Sequence, residues 1–402
     1  MDTLAAQLLS RRVLEMEESA TLKMAQLARN LASQGHQVIN LSLGEPDFDT
    51  PVHIKEAAKK ALDDGYTKYS PVAGLVELRQ AIVRKFKRDN DLDFSINQIV
   101  VSNGAKQSLA NLSLALLNEG DEAVILAPYW VSYYEIVRLG GGKPVVVKAG
   151  IEQDFKVTPE QLEAAITPNT KFVLFSSPCN PTGSVYSKEE LKGLADVIAR
   201  YENVFIIADE IYEYINFTDQ HASIGAFDNV RERTITVNGF AKGFAMTGWR
   251  LGFLGAPAWI AEACTKIQGQ ITSGANTFAQ KAGAYALEAD LQPTYQMRDA
   301  FQRRRDLTLQ LLEDIPGMLC NYPQGAFYVF PDISYYFGKT DGNTIIQNAD
   351  DLAMYILEQA HVAVVSGSGF GADECLRISF AASDEELIEA SRRIKGALGK
   401  LY

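Results

Sequence analysis

Thr236-Val-Asn-Gly-Phe-Ala-Lys-Gly-Phe-Ala-Met-Thr-Gly-Trp-Arg-Leu-Gly252 is the stretch from which the rest of the chain can be read. The β-branched run Thr234–Val237 stops at Asn238-Gly239, which predicts a buried strand ending in a turn. Lys242 follows, among Phe240, Ala241, Gly243, Phe244 and Ala245. An apolar setting lowers a lysine's pKa, because desolvation disfavours the ammonium form. A neutral amine attacks carbonyl groups, so Lys242 is a candidate Schiff-base lysine. Further on, Arg250 stands between Gly248-Trp249 and Gly252, a fixed cation where backbone can approach closely. Taken singly, a loop lysine and an ion-paired arginine would explain both residues.

The chain has 402 residues, enough for two or three domains and a large core. Its 47% hydrophobic and 22% charged content is that of an ordinary globular protein. A net charge of −12 argues against nucleic acid and anionic membrane as partners, since both reward basic surfaces. No apolar run reaches membrane-spanning length. Met1–Arg12 lacks a charged start followed by an apolar run, so no secretory leader is expected. Cys179, Cys264, Cys320 and Cys375 are scattered without metal-ligand spacing, as are the histidines. No metal site is therefore expected, and the thiols fit a reducing, cytoplasmic setting.

From Gln98 to Gly255 short apolar runs alternate with helical patterns. Strands are predicted at Gln98–Ser102, Ala123–Ala127, Pro144–Val147, Lys171–Ser176, Val204–Ala208, Thr234–Val237 and Leu251–Gly255. Helices are predicted between several of them, at Lys106–Leu117, Tyr129–Leu139 and Lys188–Arg200. The alternation predicts an α/β fold, with a mostly parallel central sheet and helices on both faces. Ligands bind such sheets at the carboxyl ends of the strands. Residues 1–40 have a helical repeat and lead into Val38–Ser42 and Leu43-Gly44-Glu45-Pro46, where Gly44 would let backbone approach a ligand. After about residue 285 the pattern changes. A long charged helix, Thr294–Asp314, precedes mixed strands and helices, which predicts a smaller α+β domain. The expected division is residues 49–288 for the large domain and 289–402 for the small one, with 1–48 packing against the small domain.

Several strand ends carry residues that need a ligand or a partner. Asn103-Gly104-Ala105-Lys106-Gln107 joins a strand to a helix, where free backbone N–H groups bind phosphate, although a plain turn reads the same way. Asp209, at the end of Val204–Ala208, would be costly to bury unpaired, and Tyr212 lies close behind it. Arg377, inside the apolar run Leu376–Phe380, needs either a buried acid or a ligand carboxylate. Asn180 offers both a donor and an acceptor but sits in the turn-forming Asn180-Pro-Thr-Gly183; Trp130 reads equally well as core. Ser366-Gly-Ser-Gly-Phe-Gly-Ala372 imitates a dinucleotide fingerprint, but a strand-like run follows it instead of a helix. That excludes an oxidoreductase of the dinucleotide-binding kind.

The run Asn238-Gly-x-Ala-Lys-x-Phe-Ala-Met-Thr-Gly-Trp-Arg250, together with Asn180-Pro-Thr-Gly183, resembles the class I aminotransferases of the aspartate aminotransferase family. These enzymes use pyridoxal 5'-phosphate, and the resemblance extends over nearly the whole chain. It implies the pyridoxal-phosphate-dependent transferase fold type I and a homodimer with shared active sites. Carried over position by position, it implies that Lys242 holds the cofactor, with Gly104, Ala105, Lys106 and Arg250 around the phosphate. Trp130 would stack on the ring, Asp209 face its nitrogen, and Asn180 and Tyr212 hold its phenolic oxygen. Arg377 would grip the substrate's α-carboxylate with Gly44 closing over it, and Trp130 and Asn180 would also line the substrate's place. Tyr69, in Lys68-Tyr-Ser-Pro-x-x-Gly74, would reach the phosphate of the neighbouring subunit, and Glu210 would make a structural contact.

Two departures mark a subgroup of that family. Gly239 and Ala241 stand where serines often occur, and Ile271–Thr277 holds no arginine to read an acidic side chain. Both match the subgroup in which a lysine at the position of Lys106 takes that task. The implied activity is transamination of aspartate and glutamate with 2-oxoglutarate or oxaloacetate. Ser19-Ala20-Thr21 resembles a segment of members that also act on prephenate, which makes that dicarboxylate the alternative substrate. A pyridoxal-phosphate-dependent C–S lyase on the same fold is the rival enzyme. A ligand-binding regulator is the rival outside enzymology, disfavoured because every catalytic position is filled.

Overall fold

The computed structural model describes residues 8–218 and 220–402. A short strand, β1 (Ile39–Asn40), precedes the central sheet. That sheet comprises β2 (Ile99–Ser102), β3 (Glu122–Ala127), β4 (Lys143–Lys148), β5 (Thr170–Ser176), β6 (Phe205–Asp209), β7 (Thr234–Gly239) and β8 (Gly252–Gly255). Their order is β2-β8-β7-β6-β5-β3-β4. β8 runs antiparallel to both of its neighbours, and the other pairs are parallel. Every strand predicted between residues 98 and 255 is present.

The sheet is buried on both faces, which is why its strands read as continuous apolar runs. Alternate residues serve opposite layers. Ile125, Leu174 and Ile207 pack with Leu109 and Leu112 of helix Ala105–Leu116 and with Ile260 and Cys264 of helix Ala258–Ile271. Their chain neighbours Val124, Val173 and Ile206 pack on the other face with Leu191, Leu194 and Ile198 of helix Lys188–Ile198. β4 is one of the two edges, and it carries lysines at both ends and a proline, devices that discourage further pairing. Helix Ser132–Leu139 begins later than its sequence pattern predicts. Tyr129 gives its N–H to the Phe370 carbonyl, and Trp130 is left in a turn at the head of the helix.

The remaining elements build a second core. Strands β9 (Tyr328–Val329), β11 (Val365–Ser366) and β12 (Leu376–Ser379) form an antiparallel sheet, and β1 pairs in parallel with β10 (Val362–Ala363). Met24 and Ala28 of helix Ala20–Ser33 pack here with Phe301 and Leu312 of helix Gln292–Glu313 and with Leu352, Ile356, Leu387 and Ile394. The N-terminal helical pattern is interrupted between Arg11–Leu14 and Ala20–Ser33; its residues 1–7 lie outside the described residues. No described helix is long and apolar enough to cross a membrane.

Candidate active site

A cavity of about 400 Å³ opens at the carboxyl ends of β2, β5, β6 and β7. Gly44, Gly104, Ala105, Lys106, Trp130, Asn180, Asp209, Tyr212, Lys242, Arg250 and Arg377 all line it. Tyr69 does not; it is 98% exposed on the surface of the chain.

At one end, Gly104 caps helix Ala105–Leu116 with φ of 84°, a backbone region that favours glycine. The helix start leaves the N–H groups of Ala105 and Lys106 without carbonyl partners within the helix and presents the positive end of its dipole. Arg250 sits in the left-handed region at φ of 55°, with Nη1 donating to the Thr247 carbonyl at 2.9 Å. A Cβ at position 104 would stand 2.6 Å from Arg250 Nη2, so glycine is what lets the guanidinium approach the helix start. Lys106 Nζ lies 4.7 Å from the centre of the Trp130 ring, and burial together with Arg250 lowers its pKa.

At the centre, Lys242 Nζ donates to the Gly44 carbonyl. Burial, followed by the charge of Arg377, pushes its pKa down to about 8. Asp209, the last residue of β6, accepts from the Tyr133 hydroxyl at 2.7 Å and the Ile211 N–H at 3.2 Å. Burial outweighs those bonds and pushes its carboxyl up to about 6. No cation pairs with it among the described residues. The Tyr212 and Tyr328 hydroxyls lie 2.8 Å apart, and burial keeps both phenols protonated.

At the far end, Arg377 projects from β12 and is 1% exposed. It donates to Asn180 Oδ1 at 3.0 Å and to the Ser42 carbonyl at 2.6 Å, while its Nε is buried without a partner among the described residues. No acid faces it among the described residues, so the ion-pair explanation open at the sequence level does not apply. The lining holds Lys106, Lys242, Arg250 and Arg377 against Asp209 and Glu45, a cationic pocket in a chain of net charge −12. Ser176 Oγ and Thr21 Oγ1 line it without hydrogen-bond partners among the described residues. An uncompensated acid at one edge, unpaired cations at the two ends and an amine between them suit a flat ligand with a cationic ring atom and two anionic ends.

Tyr133 and Glu45 line the cavity and Tyr328 stands behind Tyr212; sequence reasoning missed all three. Tyr133 was accessible, since it lies three residues after Trp130 and so near it on the same turn. Tyr328 belongs to no motif. Glu45 accepts from Thr247 Oγ1 at 3.0 Å, tying the Gly44 segment to the loop after β7. Glu210 makes the structural contact expected of it, accepting from Asn90, Ser223 and His221. Glu210, Glu213 and His221 are close enough to suggest a metal cluster. The buried Lys85 ammonium pairs with Glu213 there, and Asn90 bridges both carboxylates. The Ser366–Ala372 segment forms a short 3-10 turn between β11 and β12, with no helix to hold a pyrophosphate.

A family profile described as "Aminotransferase class I and II" matches residues 36–394. An aspartate/prephenate aminotransferase of Nitrosomonas europaea is 45% identical, over 97% of this chain and 99% of the relative. The crystal structure of an aspartate aminotransferase from Rhizobium meliloti superposes with a TM-score of 0.95 at 41% identity, covering 98% of this chain and 99% of that one. The aspartate aminotransferase of Thermus thermophilus, solved with maleate, gives a TM-score of 0.91 at 43% identity, covering 97% of this chain and 99% of that one.

Proposed function

The chain belongs to the class I and II aminotransferases, and from that premise we propose that it transfers amino groups between aspartate or glutamate and the matching 2-oxo acids, using pyridoxal phosphate held at Lys242. The family depends on that cofactor. When bound, it supplies an electron sink for the pair released at the substrate's Cα. The observation that carries the reading is the convergence on one cavity of a partly neutral amine, a buried carboxylate without a cation and a buried arginine without an acid among the described residues.

The roles are those that the family resemblance assigns to these positions. Gly104, Ala105, Lys106 and Arg250 hold the phosphate with N–H groups and a guanidinium fork. Asp209, aimed by Tyr133, keeps a proton on the ring nitrogen. Asn180 and Tyr212 hydrogen-bond the phenolic oxygen, and Trp130 covers the ring. Arg377 takes the α-carboxylate in a bidentate pair and so aligns the Cα–H bond with the amine. Lys242 Nζ then acts as the general base that removes the Cα proton. Lys106, stacked on Trp130 and free of any acid among the described residues, reads the distal carboxylate. Tyr69 is proposed to complete the phosphate site of a second copy in a cytoplasmic homodimer. Residues 1–48 are proposed to pack with a small domain of residues 289–402, and residues 49–288 to form the large domain that binds the cofactor.

The relative named for prephenate favours a second substrate, and here Thr21 supports it: its buried hydroxyl, unpartnered among the described residues, lines the same cavity as Lys106. Cofactor absorbance, followed while single amino donors are added without a keto acid, tests the reading. Aspartate, glutamate and an amino acid derived from prephenate should convert the cofactor, with 2-oxo acids reversing the change. Turnover that needs no keto acid and releases a sulfur product would instead place the chain among the lyases.

A further inference from the structure

Tyr328 is a fully buried phenol on β9 that lies behind Tyr212, outside the cavity lining. Its hydroxyl stands 2.8 Å from the Tyr212 hydroxyl and has no other hydrogen-bond partner among the described residues. The guanidinium of Arg377 lies 4.5 Å from the centre of its ring. A Cβ built on Gly44 would come within 2.7 Å of the same hydroxyl, while the next nearest atoms would be at 3.8 Å. Gly44 does not have positive φ, so its backbone would accept alanine. The hydroxyl is what stands in the way.

A buried phenol places its proton on an acceptor. The Tyr212 oxygen is the acceptor in reach, and by accepting it keeps its own proton free for the cavity. The opposite direction would commit the Tyr212 proton to Tyr328 and leave Tyr212 unable to donate to an oxyanion. Resting on the pyridoxal-phosphate reading above, we propose that Tyr328 is a positioning residue that donates to Tyr212, fixes the direction in which Tyr212 donates to the cofactor's phenolic oxygen, and makes glycine necessary at position 44. A bond donated into one hydroxyl strengthens the bond that hydroxyl donates onward. Tyr328 thereby joins the Arg377 end of the cavity to the ring-oxygen end.

Tyr328→Phe removes the hydroxyl and keeps the ring. The cofactor-loaded protein is titrated with pH, and the visible band of the lysine-bound cofactor is followed. With the ring oxyanion less stabilised, its shared proton is held more tightly, so the midpoint should rise by about 0.1 to 0.6 unit, the fraction of a charged hydrogen bond that a bond donated into the same hydroxyl adds. Tyr212→Phe should raise it further, and Tyr212→Phe combined with Tyr328→Phe should match Tyr212→Phe alone, because one residue acts through the other. Without cofactor, Gly44→Ala should lower the thermal midpoint, and adding Tyr328→Phe should recover most of that loss. An unchanged titration in Tyr328→Phe, or shifts that add in the double variant, overturns the positioning role. A Gly44→Ala loss that Tyr328→Phe does not recover overturns the part assigned to position 44. A wild-type protein that shows no visible band with pyridoxal phosphate overturns the functional reading itself and the proposal with it.

Discussion

Replacing Asp209 by asparagine should stabilise the cofactor-free protein at neutral pH while crippling transamination. The carboxylate is 4% exposed, accepts bonds from Tyr133 and Ile211, and lacks a cation among the described residues. Burial raises its pKa from 3.8 to about 6. A pKa raised on folding means that the folded state holds the proton more tightly than the unfolded one. The stability from Asp209 is therefore fully present below about pH 4 and lost as pH rises through about 6. Two pKa units correspond to about 3 kcal/mol. Asparagine keeps a carbonyl acceptor for the Ile211 N–H, turns its amide N–H to the Tyr133 hydroxyl, which can accept as well as donate, and removes the charge. Cofactor-free Asp209→Asn should thus exceed the wild type by up to about 3 kcal/mol at pH 7.5 and match it near pH 4. Urea unfolding of both stripped proteins at the two pH values reads the difference. Added pyridoxal phosphate should narrow the gap at pH 7.5, because only the aspartate gains a charged hydrogen bond to the ring nitrogen. If the stripped variant is the less stable at pH 7.5, or the gap does not change with pH, the account of Asp209 is wrong.

The other expectations concern single residues of the same cavity. Lys106→Ala should lower kcat/KM for aspartate, glutamate and prephenate by roughly 2–3 kcal/mol, and much less for alanine, since only the acidic donors lose a charged contact. Equal losses would leave Lys106 serving the phosphate alone. Capture of pyridoxal phosphate by the stripped protein should speed up with pH about a midpoint near 8, as Lys242 loses its proton; a midpoint near 10.5 would contradict its burial. Mixing Tyr69→Phe with Lys242→Ala chains should restore part of the activity, because one site of each mixed dimer escapes both lesions. No recovery after subunit exchange counts against a shared site.

The central sheet was legible because parallel strands covered on both faces read as apolar runs, and the helices between them keep their own period. The site was legible where a residue is forced into an unusual setting: a lysine among apolar neighbours, an arginine inside a strand, an acid at a strand end. The specific roles came from the family resemblance, not from those settings. Tyr328 stayed hidden because its signal is geometric. A tyrosine in Tyr328-Val-Phe330 looks like core, and only the fold brings its hydroxyl onto Tyr212 from a strand far along the chain. Glu45 was hidden for a related reason, since its partner Thr247 lies in a loop of the other core.

The central claim is that Lys242 carries the cofactor. The protein is loaded with pyridoxal phosphate, reduced with borohydride, digested, and its peptides mapped by mass. The account predicts a pyridoxyl group on the peptide containing Lys242, and its disappearance when aspartate is added before the reductant, because the substrate's amine displaces the lysine. A label on Lys106 or any other lysine, or a Lys242 label that aspartate leaves untouched, would contradict it.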